Sequence, residues 1–216
     1  MTEQENKHAV EDGYNAIAQQ YFDAYASDKS DLEYFDTFAK SFPKSSTILD
    51  VGCGIGHYSK YLYDKGLHIT GVDFSEGMLK IARENYPEIN FINADVCNLK
   101  NTINTKYDGI VIAFLFHHLS KQEVEKCLLE VKNLCKLNTH LLLIIEEGTN
   151  TYLQEEPFAP QYIYQINKYT KEEISNILDK CGFRINRILD KKPKEDDPYA
   201  FTEGNTIVVF AEYKGI

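Results

Sequence analysis

The chain is short of positive charge: 23 Lys and Arg stand against 33 Asp and Glu, a formal net charge of −10 over 216 residues. A generic phosphate-binding surface needs basic residues in local excess to displace counterions, so nucleic acid is not an expected partner. Long apolar runs are missing as well. The longest aliphatic stretch, Leu141 to Ile145, is far too short to span a bilayer, and the polar segment Met1 to Gly13 lacks the apolar stretch of a secretory signal. Neither a membrane nor secretion is expected, and the expected location is cytoplasmic. Signals of cysteine pairing are also absent. Cys53, Cys97, Cys127, Cys135 and Cys181 are odd in number, show no C-x-x-C spacing and fall mostly in apolar segments, as reduced thiols do. There is no internal repeat and no low-complexity tract. What is present is 43% hydrophobic residues, enough for the core of one ordinary domain.

From about His8 to Ser41 the apolar and aromatic residues, Ile17, Tyr21, Phe22, Tyr25, Leu32, Phe35 and Phe38 among them, recur at helical spacing and predict two amphipathic helices. After Pro43, short β-branched runs alternate with helical stretches: Thr47 to Val51, His68 to Val72, Asn90 to Ile92, Gly109 to Phe114 and His140 to Ile145. That alternation predicts a parallel sheet with crossover helices. Ser75 reads as an N-cap, Ser120 with Glu123 and Thr170 with Glu173 read as capping boxes, and Gly66 and Gly182 sit where helices should stop. A strand pair, Phe183 to Leu189 and Asn205 to Tyr213, is expected to close the sheet, with the charged, proline-containing Lys191 to Pro198 as a solvated hairpin loop.

The chemistry is carried by Ile48-Leu49-Asp50-Val51-Gly52-Cys53-Gly54-Ile55-Gly56, a strand followed by glycine at every second position and then by the helix His57 to Lys65. Glycines let a backbone turn sharply and approach a ligand, and the helix behind them offers free N–H groups to an anionic group such as a carboxylate. The dinucleotide fingerprint is G-x-G-x-x-G; here the third glycine comes one residue early, which points away from NAD. Asp73 ends the next strand, where an acid can accept from both hydroxyls of a ribose, and Asp95 ends the third, near the same crevice and able to accept from an adenine amino group. For each acid the alternative is a turn residue at a loop start.

With D-V-G-C-G-I-G at Asp50 to Gly56, G-V-D-F-S at Gly71 to Ser75, N-A-D-V at Asn93 to Val96 and a fourth strand running into Phe114-Leu115-Phe116-His117-His118, the chain resembles the class I S-adenosylmethionine-dependent methyltransferases of small-molecule type. The resemblance implies an α/β fold: a Rossmann-like, seven-stranded, mostly parallel sheet with helices on both faces, an N-terminal helical cap and a lid insertion. As one domain it divides into a cap at 1–44, a cofactor-binding core at 45–146, a lid at 147–169 and a C-terminal helix and strand pair at 170–216. The cofactor implied is S-adenosyl-L-methionine, with S-adenosyl-L-homocysteine as product. Gly52, Cys53, Gly54 and Gly56 form the loop that receives its methionine part, with Asp50 near the amino group. Asp73 would hold the ribose; Asp95 and the Val96 backbone the adenine, walled by Phe74 and Met78; Ala113 and Phe114 would lie beside the sulfonium. Tyr14 and Tyr21 resemble a cap over the cofactor, or simply pack one face of an amphipathic helix.

Methyl transfer from a sulfonium is an in-line displacement, so alignment, water exclusion and charge stabilisation are the enzyme's tasks. If the acceptor loses a proton, His117 first and His118 second are the candidate bases; the alternative is a packing or capping role before Ser120. The fourth strand lacks an N-P-P-Y-type ending and offers no Asp or Asn to a hard cation, so base or amide methylation and a metal are not expected. The acceptor, a small molecule, is expected under a lid carrying Tyr152, Phe158, Tyr162, Tyr164 and Tyr169, with Glu146 and Glu147 either meeting it or solvated. A monomer or a homodimer fits equally. A non-catalytic S-adenosylmethionine sensor, or other chemistry on the same cofactor, is the alternative function.

Overall fold

The computed structural model describes residues 1–192 and 205–215. The chain runs α1 (Glu3–Tyr25), α2 (Leu32–Ala39), β1 (Thr47–Val51), α3 (His57–Asp64), β2 (His68–Asp73), α4 (Glu76–Asn85), β3 (Asn90–Asn93), β4 (Tyr107–Ala113), α5 (Lys121–Asn133), β5 (Cys135–Glu146), β6 (Thr151–Glu156), β7 (Ala159–Asn167), α6 (Lys171–Lys180), β8 (Phe183–Lys191) and β9 (Thr206–Tyr213). Seven strands form one sheet in the order β3-β2-β1-β4-β5-β9-β8, and β6 and β7 form a separate antiparallel hairpin. Strands β1 to β5 are parallel to one another, while β9 runs antiparallel to both its neighbours. The order reverses between β1 and β4, where a crevice opens beyond the carboxyl ends of the strands.

Alternation along the central strands explains why both faces are covered. Leu49, Ile110, Ile112, Leu141 and Leu143 join the core under α5 and α6, whereas Ile48, Val111, Leu142 and Ile144 join the core under α2, α3 and α4. The expected helix boundaries are built as capping chemistry requires. Ser75 accepts from Met78 N, the Ser120/Glu123 and Thr170/Glu173 boxes are both closed, and Gly66 and Gly182 adopt left-handed φ of 90° and 86°.

Two features differ from the sequence-based expectation. Helix α1 starts at Glu3, well before His8, on a capping box of Thr2 and Glu5. Its buried stripe is Asn6, Val10, Gly13, Ile17 and Ala18, so counting apolar residues alone misses the first turns. The 147–169 insertion is the β6–β7 hairpin, whose β7 packs on α1. Of the loop expected at Lys191 to Pro198, everything beyond residue 192 lies outside the described residues.

Candidate functional site

The turn after β1 is fixed by hydrogen bonds to the end of β2. Gly52 N and Cys53 N donate to Val72 O at 2.8 and 2.9 Å, and Gly54 N donates to Asp73 Oδ2 at 2.9 Å. The other Asp73 oxygen accepts from Ser75 N at 2.9 Å, so one carboxylate joins the glycine turn to the start of α4. At Gly54 (φ 51°) an added Cβ would meet nothing within 4 Å, so glycine is required there by backbone conformation and the position faces open space. Gly56 (φ 77°) is different: a Cβ would lie 2.7 Å from the Phe91 ring, so this glycine seats the loop against the sheet and caps α3.

The three acids have distinct environments. Asp50 is buried and accepts from Ser59 Oγ at 2.6 Å; burial, opposed by that hydrogen bond and assisted by the charge of Asp73, pushes its carboxyl up to about 7. Burial also raises Asp73, against the pull of its backbone donors. Burial would raise Asp95 too, but Lys7 Nζ at 2.6 Å from Oδ2 and Cys97 N at 2.9 Å from Oδ1 hold it below the ordinary range.

These groups surround one cavity of about 660 Å³ at the β1/β4 crevice, within the usual size range of small-molecule sites. Tyr14, Tyr21, Asp50, Gly52, Cys53, Gly54, Asp73, Phe74, Met78, Asp95, Val96, Ala113, Phe114 and His118 all line it. Gly56 and His117 are not on its wall. Gly56 lies behind the loop for the packing reason given above. His117, expected as the first candidate base, sits behind His118 with its Nε2 2.9 Å from His118 Nε2, because the short helical turn Phe116–His118 directs successive side chains differently. Phe114 leaves β4 with φ 54°, a left-handed conformation for a bulky residue, held by its N–H on Ile144 O at 2.9 Å. Such strain commonly accompanies a ligand-facing position.

Two further corrections concern the lid. None of Tyr152, Phe158, Tyr162, Tyr164 and Tyr169 lines the cavity; its aromatic wall comes from Tyr14 and Tyr21 of α1 with Tyr58, Phe74 and Phe114. The hairpin acts from behind, Tyr164 stacking on Tyr14 with ring centroids 5.9 Å apart, and Tyr169 is fully buried with its hydroxyl on Leu119 O at 2.6 Å. Glu146 does not meet the cavity either: it is buried in an ion pair with Lys168 at 3.5 Å, because the chain turns into the hairpin right after β5.

Sequence reasoning missed His57, Tyr58 and Lys7, all on the cavity wall. His57 opens α3 immediately after the glycine turn, and burial pushes its imidazole down to about 4, so it is neutral at pH 7. Its place directly after the last loop glycine was the available signal. Tyr58 donates to buried Asp31 at 3.2 Å, a contact 27 residues apart in sequence, and Lys7 reaches Asp95 across 88 residues; neither leaves a local pattern.

Comparison with known proteins agrees with this geometry. Residues 48–138 match the family model described as "Methyltransferase domain". An uncharacterized methyltransferase of Alkaliphilus oremlandii is 25% identical over 136 residues, covering 63% of this chain and 58% of its own length. A tRNA (carboxymethyluridine(34)-5-O)-methyltransferase of Saccharomyces cerevisiae is 36% identical over 86 residues, 40% of this chain and 30% of its own. The chain thus spans about half the length, or less, of the curated relatives it matches. Among solved structures, 1,6-didemethyltoxoflavin-N1-methyltransferase of Burkholderia thailandensis, with bound 1,6-didemethyltoxoflavin and S-adenosylhomocysteine, aligns with a TM-score of 0.75 at 15% identity over 99% of this chain and 91% of that one. At that identity the likeness concerns the fold. Residues 48–138 thus carry a methyltransferase domain, set on a Rossmann-like strand order with the glycine turn between its acidic strand ends.

Proposed function

We propose that this protein binds S-adenosylmethionine in the β1/β4 cavity and transfers its methyl group to an oxygen or nitrogen of a small molecule. The observation that carries the reading is the convergence of Asp50, Asp73 and Asp95, from three successive strand ends, on one cavity with the open face of Gly54 between them. These donors and acceptors fit the cofactor. The glycine turn and the start of α3 offer backbone N–H groups to a carboxylate, Asp50 suits an ammonium, Asp73 a vicinal diol, and Asp95 with the Val96 backbone an aminopurine edge. Phe74, Met78, Ala113 and Phe114 add apolar lining to the same cavity.

When bound, S-adenosylmethionine supplies an electrophilic methyl on a sulfonium. What remains for the chain is to align an acceptor in line with it, exclude water and tolerate the charge shift. The aromatic wall suits a planar or apolar acceptor and a nearby cation alike. His118, neutral and on the wall, is the histidine placed to assist proton removal; His117 can act only through it. The acceptor assigned here is a small molecule rather than nucleic acid, because the cavity is enclosed by α1 and the chain is acidic overall.

The first test is calorimetric titration with S-adenosylhomocysteine, S-adenosylmethionine and NAD, wild type beside Asp73→Ala. It is followed by transfer of label from methyl-labelled S-adenosylmethionine into a panel of phenols, heteroaromatic amines and bulk tRNA. Binding of the two adenosyl-sulfur ligands but not NAD, with label entering a small molecule, is the expected outcome. Preference for NAD, or no binding by folded protein, overturns the cofactor; label in tRNA alone overturns the acceptor class; binding without transfer favours a sensor.

A further inference from the structure

Helix α3 opens with three polar side chains, and two of them are already engaged. Tyr58 donates its hydroxyl to buried Asp31 at 3.2 Å, and Ser59 donates its own to Asp50 at 2.6 Å. His57 is the third. It is half-buried on the cavity wall, with Nδ1 buried and without a protein partner, and with Nε2 as the accessible ring nitrogen. The ring is held in place all the same. It lies against the Tyr58 ring at a centroid distance of 3.9 Å, and Tyr58 stacks on Phe35 at 4.2 Å. Asp31, which accepts the Tyr58 hydroxyl, is itself fixed by Lys191 Nζ at 2.8 Å.

The surroundings define what the imidazole can meet. The N-cap of α3 is Gly56, which has no side chain to accept from the first-turn N–H groups, and those groups have no intrahelical partner. With His57 and Tyr58 both on the cavity wall, this positive helix end borders the cavity and favours an anion. Among the described residues the cationic side chains on the wall are Lys7 and Lys126, and both act on Asp95, past β3 and two strands away from β1. An anion at the start of α3 therefore finds backbone N–H groups and, from the first turn, one uncommitted side chain. Burial keeps the His57 imidazole neutral at pH 7, with one N–H and one lone pair. Because no protein group engages Nδ1, the ligand decides which nitrogen carries the proton, and a carboxylate selects Nε2–H.

We infer that His57 is a specificity-determining residue for the amino-acid end of the cofactor, its Nε2–H donating to the carboxylate beside the first-turn N–H groups of α3. This deepens the S-adenosylmethionine reading and rests on it. Asp50 and His57 then divide that end between them, the first meeting the ammonium and the second the carboxylate. Tyr58, Phe35 and Asp31 act as positioning residues for the imidazole. A ligand with the same adenosyl and amino groups but no carboxylate loses the His57 contact and the helix-end contacts together, so the decarboxylated cofactor binds poorly.

Calorimetric titration at pH 8 compares S-adenosylhomocysteine with decarboxylated S-adenosylhomocysteine in wild type, His57→Phe and His57→Gln, each checked for folding by thermal unfolding. His57→Phe should weaken S-adenosylhomocysteine about tenfold, as loss of one hydrogen bond to a charged group does, and leave the decarboxylated ligand within about twofold of wild type. His57→Gln, whose amide can still donate, should weaken S-adenosylhomocysteine by less, a rescue that mere packing would not produce. Equal losses for the two ligands in His57→Phe, or no loss for either, overturn the inference. Long-range ¹⁵N NMR of histidine-labelled wild type, with His57 assigned through its backbone neighbours, decides the matter without any variant having to fold. In the S-adenosylhomocysteine complex His57 should carry its proton on Nε2, and a proton on Nδ1 there overturns the inference. Folded wild-type protein that binds neither ligand removes the underlying cofactor reading as well, and calorimetry separates that failure from equal binding of the two.

Discussion

The two walls of the cavity are built differently. One consists of strand ends and the turn after β1, where Gly54 N and Ser75 N donate to Asp73 and Ser59 Oγ donates to Asp50, over a sheet buried on both faces. The other is α1 backed by the β6–β7 hairpin, a helix with tyrosines on its inner side held by ring packing, the Gly13 notch and a few polar ties. The first wall is pre-formed by neighbours in a parallel sheet, so its groups have little freedom. The second is a surface element resting on a two-stranded hairpin, and a hairpin of that kind gains its stability from what it packs against. Under the proposed function, recognition of a common cofactor is assigned to the first wall and selection of the acceptor to the second.

Removing Asp73 tests that division most severely. Asp73→Ala takes away two backbone hydrogen-bond partners and the proposed ribose ligand together, and hydrogen bonds to a charged group contribute about 1.5–3 kcal/mol each. S-adenosylhomocysteine affinity, read by calorimetry, should fall about 100-fold or more, a loss of about 3 kcal/mol. An equal loss from Tyr14→Phe would break the comparison.

The pH dependence of Asp50 follows in size. Its carboxyl is pushed up to about 7, above the ordinary carboxylate value, so between about pH 4 and 7 the folded chain keeps a proton that the unfolded chain has released. Stability contributed by this group is fully present at the acid end and is lost as pH rises through about 7. His57, pushed down to about 4, gives the opposite slope over about pH 4 to 6.5, so the informative quantity is wild type minus Asp50→Asn in urea unfolding across that range. The difference should decline with pH by up to about 1.4 kcal/mol per unit. If Asp50 meets the cofactor's ammonium, S-adenosylhomocysteine affinity should also rise with pH below 7 in the wild type and be flat in Asp50→Asn.

Gly56→Ala should cost about 2 kcal/mol, from left-handed backbone and contact with Phe91, and lower Tm by about 4–8 °C. On the other wall, Gly13→Ala should leave Tm nearly unchanged: the gain in helix propensity of about 1 kcal/mol offsets the displacement of Tyr164. Hydrogen exchange in β6 and β7 should nevertheless speed up in Gly13→Ala. Lys7→Met should have the smallest effect, under about 1 kcal/mol in thermal unfolding, since the Lys7–Asp95 pair is about a third exposed, and less still in high salt.

The first wall was legible in the sequence because its residues sit at fixed offsets from a strand and from each other. Asp50, Gly52 and Gly54 lie within one turn, and Asp73 and Asp95 are each at or just past a strand end, so the period-two strand pattern followed by a cap such as Ser75 places them without reference to the rest of the fold. His57 could have been found the same way. The His117–His118 order could not, because which of two adjacent histidines faces a cavity depends on the rotation of a single short helical turn. The insertion's aromatics misled for a related reason: composition placed them near the acceptor, while register and packing set Tyr164 behind Tyr14 and buried Tyr169.

By itself the sequence determined the Rossmann-like alternation, the helix caps and the glycine turn, since these depend on backbone dihedrals, hydrogen bonds and apolar periodicity within a few residues. Only the tertiary structure decided that α1 closes the cavity, that Tyr14, His118 and His117 form one chain of contacts, and that Lys7 reaches Asp95. Tyr14 and His118 lie 104 residues apart and Lys7 and Asp95 88, and contacts at such separation are fixed by how finished elements pack, not by any pattern a local stretch of chain can carry.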